Sequence, residues 1–221
     1  MGDRELERRL RDLEGRVADL EARVPQDLAM TVPWGSQLSG TYMSALHTGA
    51  DEFGVWLAPV DLRGRLDLAR VRTIVDSGSP PNVARFCLGI YRMTSGVLDR
   101  QDPVGEPLAV ELLATLSRFE HDAGEDVIYA ALIGQRRLVL DPRAGRYFVG
   151  FQGNQYARFH TPQGNMSRRT QPTAYQTIPV PTAVGEFPER LEVVGSASMA
   201  RPLFVLYSDL GLRLHGDRIE D

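Results

Sequence analysis

Residues with metal-binding or nucleophilic chemistry are few in this chain and widely separated. The histidines are His47, His121, His160 and His215, and the single cysteine is Cys87. No two histidines stand at a helical metal-ligand spacing, and no phosphate-binding glycine loop, H-E-x-x-H or G-x-S-x-G motif occurs. One cysteine excludes an intrachain disulfide and a cysteine-based zinc site, and its apolar surroundings predict a small buried hydrophobe. We therefore expect no catalytic residue, no metal site and no cofactor.

Two further features resemble ligand sites, and both have a simpler interpretation. Residues 121–126 carry three carboxylates, but they lack the ordered spacing of a calcium loop and are interpreted as a solvated turn. Trp34 and Trp56 could each stack on a sugar ring. We expect Trp56 to be half-buried in a strand and Trp34 to pack where the N-terminal segment meets the rest of the chain.

The segment 153–189 is the strongest candidate for a binding site. It is rich in proline, glycine and polar residues, and its weak patterning predicts a long functional loop or an arm onto a neighbouring subunit. Its aromatic rings and guanidinium groups suit stacking and the binding of carboxylates such as acidic sugars. The candidate receptor-binding residues are Tyr156, Arg158, His160, Arg168, Arg169 and Tyr175. In the alternative, the segment is an inter-subunit arm with residues 178–181 buried.

Charge and hydropathy exclude several classes of partner. The 221 residues carry a net charge of −4, and all 25 basic residues are arginine. A nucleic-acid binder usually needs a basic face, so we expect no nucleic-acid partner. No stretch approaches the roughly 20 apolar residues of a membrane span, and the first ten residues lack the apolar core of a signal peptide. We expect no membrane insertion.

The first 24 residues contain an unbroken heptad seam. Apolar residues follow one another at spacings of four and three: Leu6, Leu10, Leu13, Val17, Leu20 and Val24. With Leu10 at an a position, arginine fills every g position and glutamate every e position. These residues are Arg9, Arg16 and Arg23 at g, and Glu7, Glu14 and Glu21 at e. The pattern predicts a coiled-coil helix that ends at Pro25, since proline cannot continue the hydrogen-bond ladder.

The flanking charges specify how the helices associate. In a parallel coil Arg9 faces Glu14 and Arg16 faces Glu21 of the neighbour, whereas an antiparallel coil would pair like charges. Valine at a with leucine at d favours dimers. Two adjacent copies of the pattern Arg-apolar-x-x-apolar-Glu are similar to the trimerisation motif of parallel three-stranded coils. We predict a parallel homotrimer, the alternatives being a dimer or an amphipathic helix packed on its own domain.

Beyond the stalk, the sequence changes to short runs with a period of two, typical of strands. These runs lie at residues 53–58, 69–75, 85–91, 147–152 and 203–207. Residues 107–119 fit a helix or a strand, and their neighbours favour a strand. The sequence predicts a mainly β protein with an antiparallel β-sandwich or jelly-roll head.

The predicted divisions of the chain are a stalk at 1–24, a linker at 25–37 and a head at 38–221. A stalk of about 19 residues spans only about 28 Å, so the head should help to hold the oligomer together.

A short heptad stalk, a proline break and an all-β head together resemble bacteriophage fibre, spike and receptor-binding proteins. The runs at residues 86–92 and 138–150 look like strands in the β-sandwich heads of tail-associated phage proteins. The resemblance covers the stalk and part of the head, and it carries over no catalytic residue. Unlike long tail fibres, the chain shows no N-terminal virion-attachment domain, so we expect the stalk or an accessory protein to dock on the virion.

The resemblance implies a non-enzymatic fibre or spike protein of the virion, assembled in the host cytoplasm, on the head or the tail. As a homotrimer it would contact other virion proteins through its stalk and contribute to attachment to a host-surface glycan or protein. Two alternatives stay open. One is a purely structural protein that decorates or cements the virion, and the other is a head that binds or cleaves carbohydrate.

Overall fold

A computed structural model describes much of the chain. The described residues are 3–23, 25–31, 38–42, 55–96, 98–99, 102–103, 108–122, 124–154, 156–162, 173–177 and 186–215. Among them, helix α1 covers Asp3–Arg23 and helix α2 covers Asp209–His215. α1 ends two residues before Pro25, as the heptad pattern and the proline predict. Val24, Trp34 and residues 178–181 lie outside the described residues.

Strands make up most of the rest, and the pairs between them are antiparallel. The strands are β1 Leu28–Met30, β2 Leu38–Tyr42, β3 Trp56–Pro59, β4 Leu66–Asp76, β5 Ala84–Ser95, β6 Leu98–Asp99, β7 Asp102–Pro103, β8 Leu108–Thr115, β9 Phe119–His121, β10 Glu125–Ala131, β11 Leu138–Leu140, β12 Tyr147–Gly153, β13 Arg158–Pro162, β14 Thr173–Thr177, β15 Arg190–Ala200 and β16 Val205–Ser208. The prediction of a mainly β protein is confirmed. So is the prediction of a strand within residues 107–119, since β8 lies there.

The first sheet is built around the long strand β4. On one edge β4 pairs with β10 and β11, and on the other it pairs with β16 and β13. The outermost strands are β1, paired with β16, and β2, paired with β13. β1 lies within the segment 25–37, and the amide of Gln26 already donates to the carbonyl of Arg65, so hydrogen bonding to the head begins three residues after α1.

The second sheet curls until it closes on itself. Its hydrogen-bonded path runs through β12, β3, β14, β15, β8 and β5, and β12 pairs with β5 as well as with β3. Gly150 of β12 permits the tight curl. A Cβ at that position would lie 2.6 Å from the ring of Tyr91 on the adjacent strand. The two strands can therefore carry a large aromatic inside the ring of strands only because residue 150 has no side chain.

Successive side chains along β3, β5 and β12 point to opposite faces of the second sheet, and the two faces contribute to two separate apolar cores. Phe86, Leu88 and Ile90 of β5 face the first sheet and join the larger core. Aromatic rings crowd this core, with centroid distances of 5.3 Å for Phe86–Phe159 and 5.4 Å for Phe151–Phe204. Side chains of opposite parity fill the interior of the closed sheet: Val55, Leu57, Tyr91, Leu108, Val110, Phe148, Leu191 and Val193.

The structure also tests three further predictions made from the sequence. Cys87 is 1% exposed, as predicted for a small buried hydrophobe. Trp56 lies in β3 and is buried in the larger core rather than half-buried. The prediction that residues 153–189 form one long loop is wrong, because β13 and β14 lie within them. Both strands gain backbone hydrogen bonds from neighbours distant in sequence, which a local alternation pattern does not register.

Candidate functional site

The seam of α1 is exposed in the single chain. Leu10, Leu13 and Val17 are 56%, 54% and 51% exposed. Apolar residues repeated along one face of a helix are normally covered by a partner surface, but among the described residues the head does not cover these three. For these three residues the alternative in which the helix packs on its own domain is wrong.

Ion pairs along α1 lie on its surface and contribute little to its stability. Arg9 Nε lies 3.3 Å from Glu5 Oε1, and Arg11 Nη2 lies 3.9 Å from Glu7 Oε2. Exposed pairs at this spacing stabilise a helix by about 0.3–0.5 kcal/mol each. A helix of 21 residues gains little from ion pairs this weak and is marginal when isolated in water.

The chain that follows α1 joins the head at Arg65, the residue before β4. Pro25 forms a parallel bridge with Arg65, and the amide of Gln26 donates to the carbonyl of Arg65 at 2.7 Å. β1 follows directly and pairs with β16. We call residues 25–27 and the elements around them the junction. The stalk is therefore attached to the end of β4 at which Leu66 lies.

The opposite end of β4, about 33 Å away along eleven residues, is formed by three connections. These connections join β4 to β5, β9 to β10 and β12 to β13, and we call them the distal end. The amide of Ser77 donates to the carbonyl of Gly124 at 3.0 Å, and the amide of Gly124 donates to the carbonyl of Gly78 at 3.1 Å. Asn154 Nδ2 donates to the carbonyl of Val83 at 2.8 Å. Hydrogen bonds thus hold the connections together.

Two of the candidate receptor-binding residues lie on β13 at the distal end, where carboxylates face them. Arg158 stands opposite Asp76 in the register, with Nη1 3.8 Å from Oδ2. Glu125 stands opposite Asp76 on the other side of β4, so these three residues share one face. His160 is 8% exposed, and its Nε2 lies 3.5 Å from Oε2 of Glu125. Both basic groups are therefore engaged with acids of their own chain.

The other described candidates are Tyr156, in the connection between β12 and β13 at the distal end, and Tyr175, in the second sheet. Tyr156 packs against the larger core, and its amide donates to Asn154 Oδ1 at 3.2 Å. Tyr175 lies on β14 in the closed sheet, opposite Leu57 of β3. Arg168 and Arg169 lie outside the described residues. Among the described candidates, the structure therefore places Tyr175 in a different sheet from Arg158 and His160.

Sequence reasoning missed the acidic partners and one donor of the distal end. Asp76 accepts a hydrogen bond from the amide of Gly78 at 2.8 Å and so fixes the turn as well as facing Arg158. A Cβ at Gly78 would lie 3.6 Å from both Arg158 Nη1 and Asn82 Nδ2, so these two donors flank the turn. Arg158 is 41% exposed. The Asp-Ser-Gly turn signal was visible in the sequence, but the register that brings these donors together was not.

Among the described residues, Tyr91 and Asp141 have shifted pKa values, and both shifts have structural causes. Burial, and then the neighbouring Cys87, raise the pKa of Tyr91 far above its ordinary value. Its phenol stays protonated and donates to the carbonyl of Pro188 at 3.0 Å. Hydrogen bonds from the side chain and backbone of Arg143 lower the pKa of Asp141. Each shift accompanies a contact that fixes a loop of the head.

The described residues hold no group of three or more histidine, cysteine, aspartate or glutamate side chains placed to bind a metal ion. Within the same part of the chain, neither helix is long and apolar enough to cross a membrane. The chain matches no protein-family model, and comparisons with curated proteins and with solved structures find no significant match.

Proposed function

We propose that this chain is a non-enzymatic fibre or spike protein of a virion. Its stalk forms a parallel homotrimeric coiled coil, and its β-sandwich head contributes to attachment to the host surface. The observation that carries the proposal is the exposed seam of α1: three apolar residues more than half exposed, between arginine at every g position and glutamate at every e position. A seam of this kind is complementary to parallel copies of itself.

The placement of the junction and the distal end supports attachment through the head. The stalk joins the head at Arg65, just before β4, whereas the turn flanked by Arg158 and Asn82 follows Asp76 at the other end of that strand. In a parallel trimer all three distal ends lie on the side away from the stalk. Three copies of a weak site on one rigid particle combine through effective concentration, so each copy needs only modest affinity.

A purely structural role in decorating or cementing the virion is the second candidate. The observation that favours it is the internal pairing of the distal end. Arg158 faces Asp76, His160 faces Glu125 and Tyr156 packs on the core, so these side chains stabilise the head itself. Under this function the head contacts other virion proteins instead of a receptor.

Two measurements on the full chain test the proposal. Immunogold labelling with an antibody against the head should mark intact virions, and unlabelled virions would contradict both candidates. The fluorescent full chain should also bind host cells. Arg168→Ala with Arg169→Ala should reduce that binding while the oligomeric mass is unchanged.

Arg63→Ala with Arg136→Ala is the matched control. It removes the same charge from exposed arginines outside the segment 153–189 and should leave cell binding unchanged. Labelled virions combined with a full chain that does not bind host cells would favour the structural role. Equal losses in the two variants would assign binding to net charge and contradict a specific site.

A further inference from the structure

Helix α2 is pressed onto the chain immediately after the stalk. The hydroxyl of Ser208 donates to the carbonyl of Asp27 at 3.1 Å and accepts from the amide of Gly211 at 2.9 Å. A Cβ at Gly211 would lie 1.8 Å from the carbonyl oxygen of Asp27. Only glycine allows this approach, so α2 and the junction form one packed unit.

One face of α2 packs on its own sheet, and the opposite face carries exposed leucines. Leu212 contacts the apolar cluster of Leu203, Val205 and Tyr207 on the first sheet. Leu210 and Leu214, one turn apart and therefore on one side of the helix, are 54% and 47% exposed. We call this pair the α2 face.

The α2 face is an apolar patch beside two ion pairs of the same surface. Arg137 Nη2 lies 2.7 Å from Asp209 Oδ2, and Arg65 Nε lies 3.2 Å from Asp67 Oδ1. Leu210, the four paired residues and residues 25–27 all line a groove of about 470 Å³. The exposed leucines are therefore the part of this surface that gains most from being covered.

The chain length between the seam and α2 places this patch near the axis of the proposed trimer. Asp27 lies three residues beyond Val24, the last position of the seam, and three residues span at most about 11 Å. Gly211 contacts Asp27 directly. In a parallel trimer the seam lies on the axis, so all three copies of α2 gather around it.

We propose that Leu210 and Leu214 of each chain pack against a neighbouring copy of the chain and form a second trimer contact at the base of the heads. This inference rests on the proposed parallel trimer and deepens it. The stalk sets the register of the three chains, and the α2 face supplies apolar burial that a short coiled coil lacks.

Sedimentation equilibrium of the full chain tests this contact. Leu210→Ser with Leu214→Ser should weaken trimer association at least about tenfold, because six partly exposed leucines per trimer lose their apolar contacts. Ile133→Ser is the matched control, since Ile133 has the same 54% exposure but lies in the connection between β10 and β11. It should change association less than twofold. Circular dichroism verifies that the heads stay folded.

Cross-linking gives a second measurement that does not depend on association energy. Leu214→Cys in a Cys87→Ser background should yield covalent dimers with a short bismaleimide, whereas Ile133→Cys in the same background should not. Equal cross-linking of the two variants, or unchanged association of the double serine variant, would overturn the α2 contact and leave the stalk trimer standing. A monomeric wild-type chain would overturn both.

Discussion

The stalk and the head differ in how far their apolar side chains are exposed in the single chain. In the head, Phe151 is 0% exposed and contacts the rings of Phe159 and Phe204 at centroid distances of 5.7 and 5.4 Å. In α1, Leu13 is equally apolar in type but 54% exposed. The head therefore carries its own core, whereas α1 leaves apolar side chains exposed. If the proposed trimer is correct, we expect the head to fold as a single chain and the association of the stalk to depend on protein concentration.

The largest effect is expected from Leu13→Asp. Three carboxylates would meet in the seam, and each unpaired buried charge costs several kcal/mol. We expect a monomer at micromolar concentration, measured by light scattering, with the urea denaturation of the head unchanged. Gly15→Asp is the matched control, because position 15 is an f position whose Cβ meets nothing within 4 Å. If the head lost stability together with the stalk, the division between the two regions would be wrong.

The second prediction concerns the stability of the head and leaves the seam of α1 unchanged. Phe151→Ala removes a fully buried ring from the larger core and should lower the free energy of unfolding by about 3–5 kcal/mol. Denaturation followed by near-ultraviolet circular dichroism measures the loss, and Phe151→Leu should cost much less. A loss under about 1 kcal/mol would show that this aromatic cluster does not hold the two sheets together.

A smaller effect is expected from the charges beside the seam. Arg9→Glu with Arg16→Glu places carboxylates opposite Glu14 and Glu21 of the neighbour, and each reversed pair should cost about 0.2–1 kcal/mol. Sedimentation measures the weakened association. Adding Glu14→Arg and Glu21→Arg to the same chain restores opposite charges in a parallel coil. Failure of this fourfold variant to recover association would contradict the parallel orientation.

The smallest effect concerns one turn of the head and its dependence on pH. Hydrogen bonds from Arg143 depress the pKa of Asp141 in the folded state. The carboxylate therefore adds stability above the ordinary pKa of aspartate, and this is lost as the pH falls through the lower folded value. The stability difference between wild type and Asp141→Asn should shrink on acidification, as measured by urea denaturation. A difference independent of pH would exclude this ionisation as its source.

The elements most predictable from the sequence are those whose signal is local. The seam spacing and Pro25 locate α1, and alternation locates the centres of β4, β5 and β12. The closed sheet depends on pairing between β14 and β3, which lie more than a hundred residues apart. No local pattern specifies that pairing. The need for glycine at position 150 likewise cannot be predicted from the sequence, because it arises from the ring of Tyr91 on the adjacent strand.

The candidate binding residues show the same limit. Arg158 and His160 were identified by their chemistry, but chemistry alone does not reveal that Asp76 and Glu125 face them. Those contacts follow from the register of β13 and β10 on β4, which is set by the whole sheet. Leu210 and Leu214 were overlooked because two leucines in a seven-residue helix carry no pattern until α2 is placed at the junction.

The most direct test of the account is the mass of the full chain in dilute solution, measured by light scattering on a sizing column. An exposed heptad seam flanked by complementary charges predicts a species three times the 24.6 kDa of one chain. A dimer would keep the parallel coil and reject the trimer motif. A single chain of 24.6 kDa at micromolar concentration would contradict the central claim that copies of this protein cover the seam.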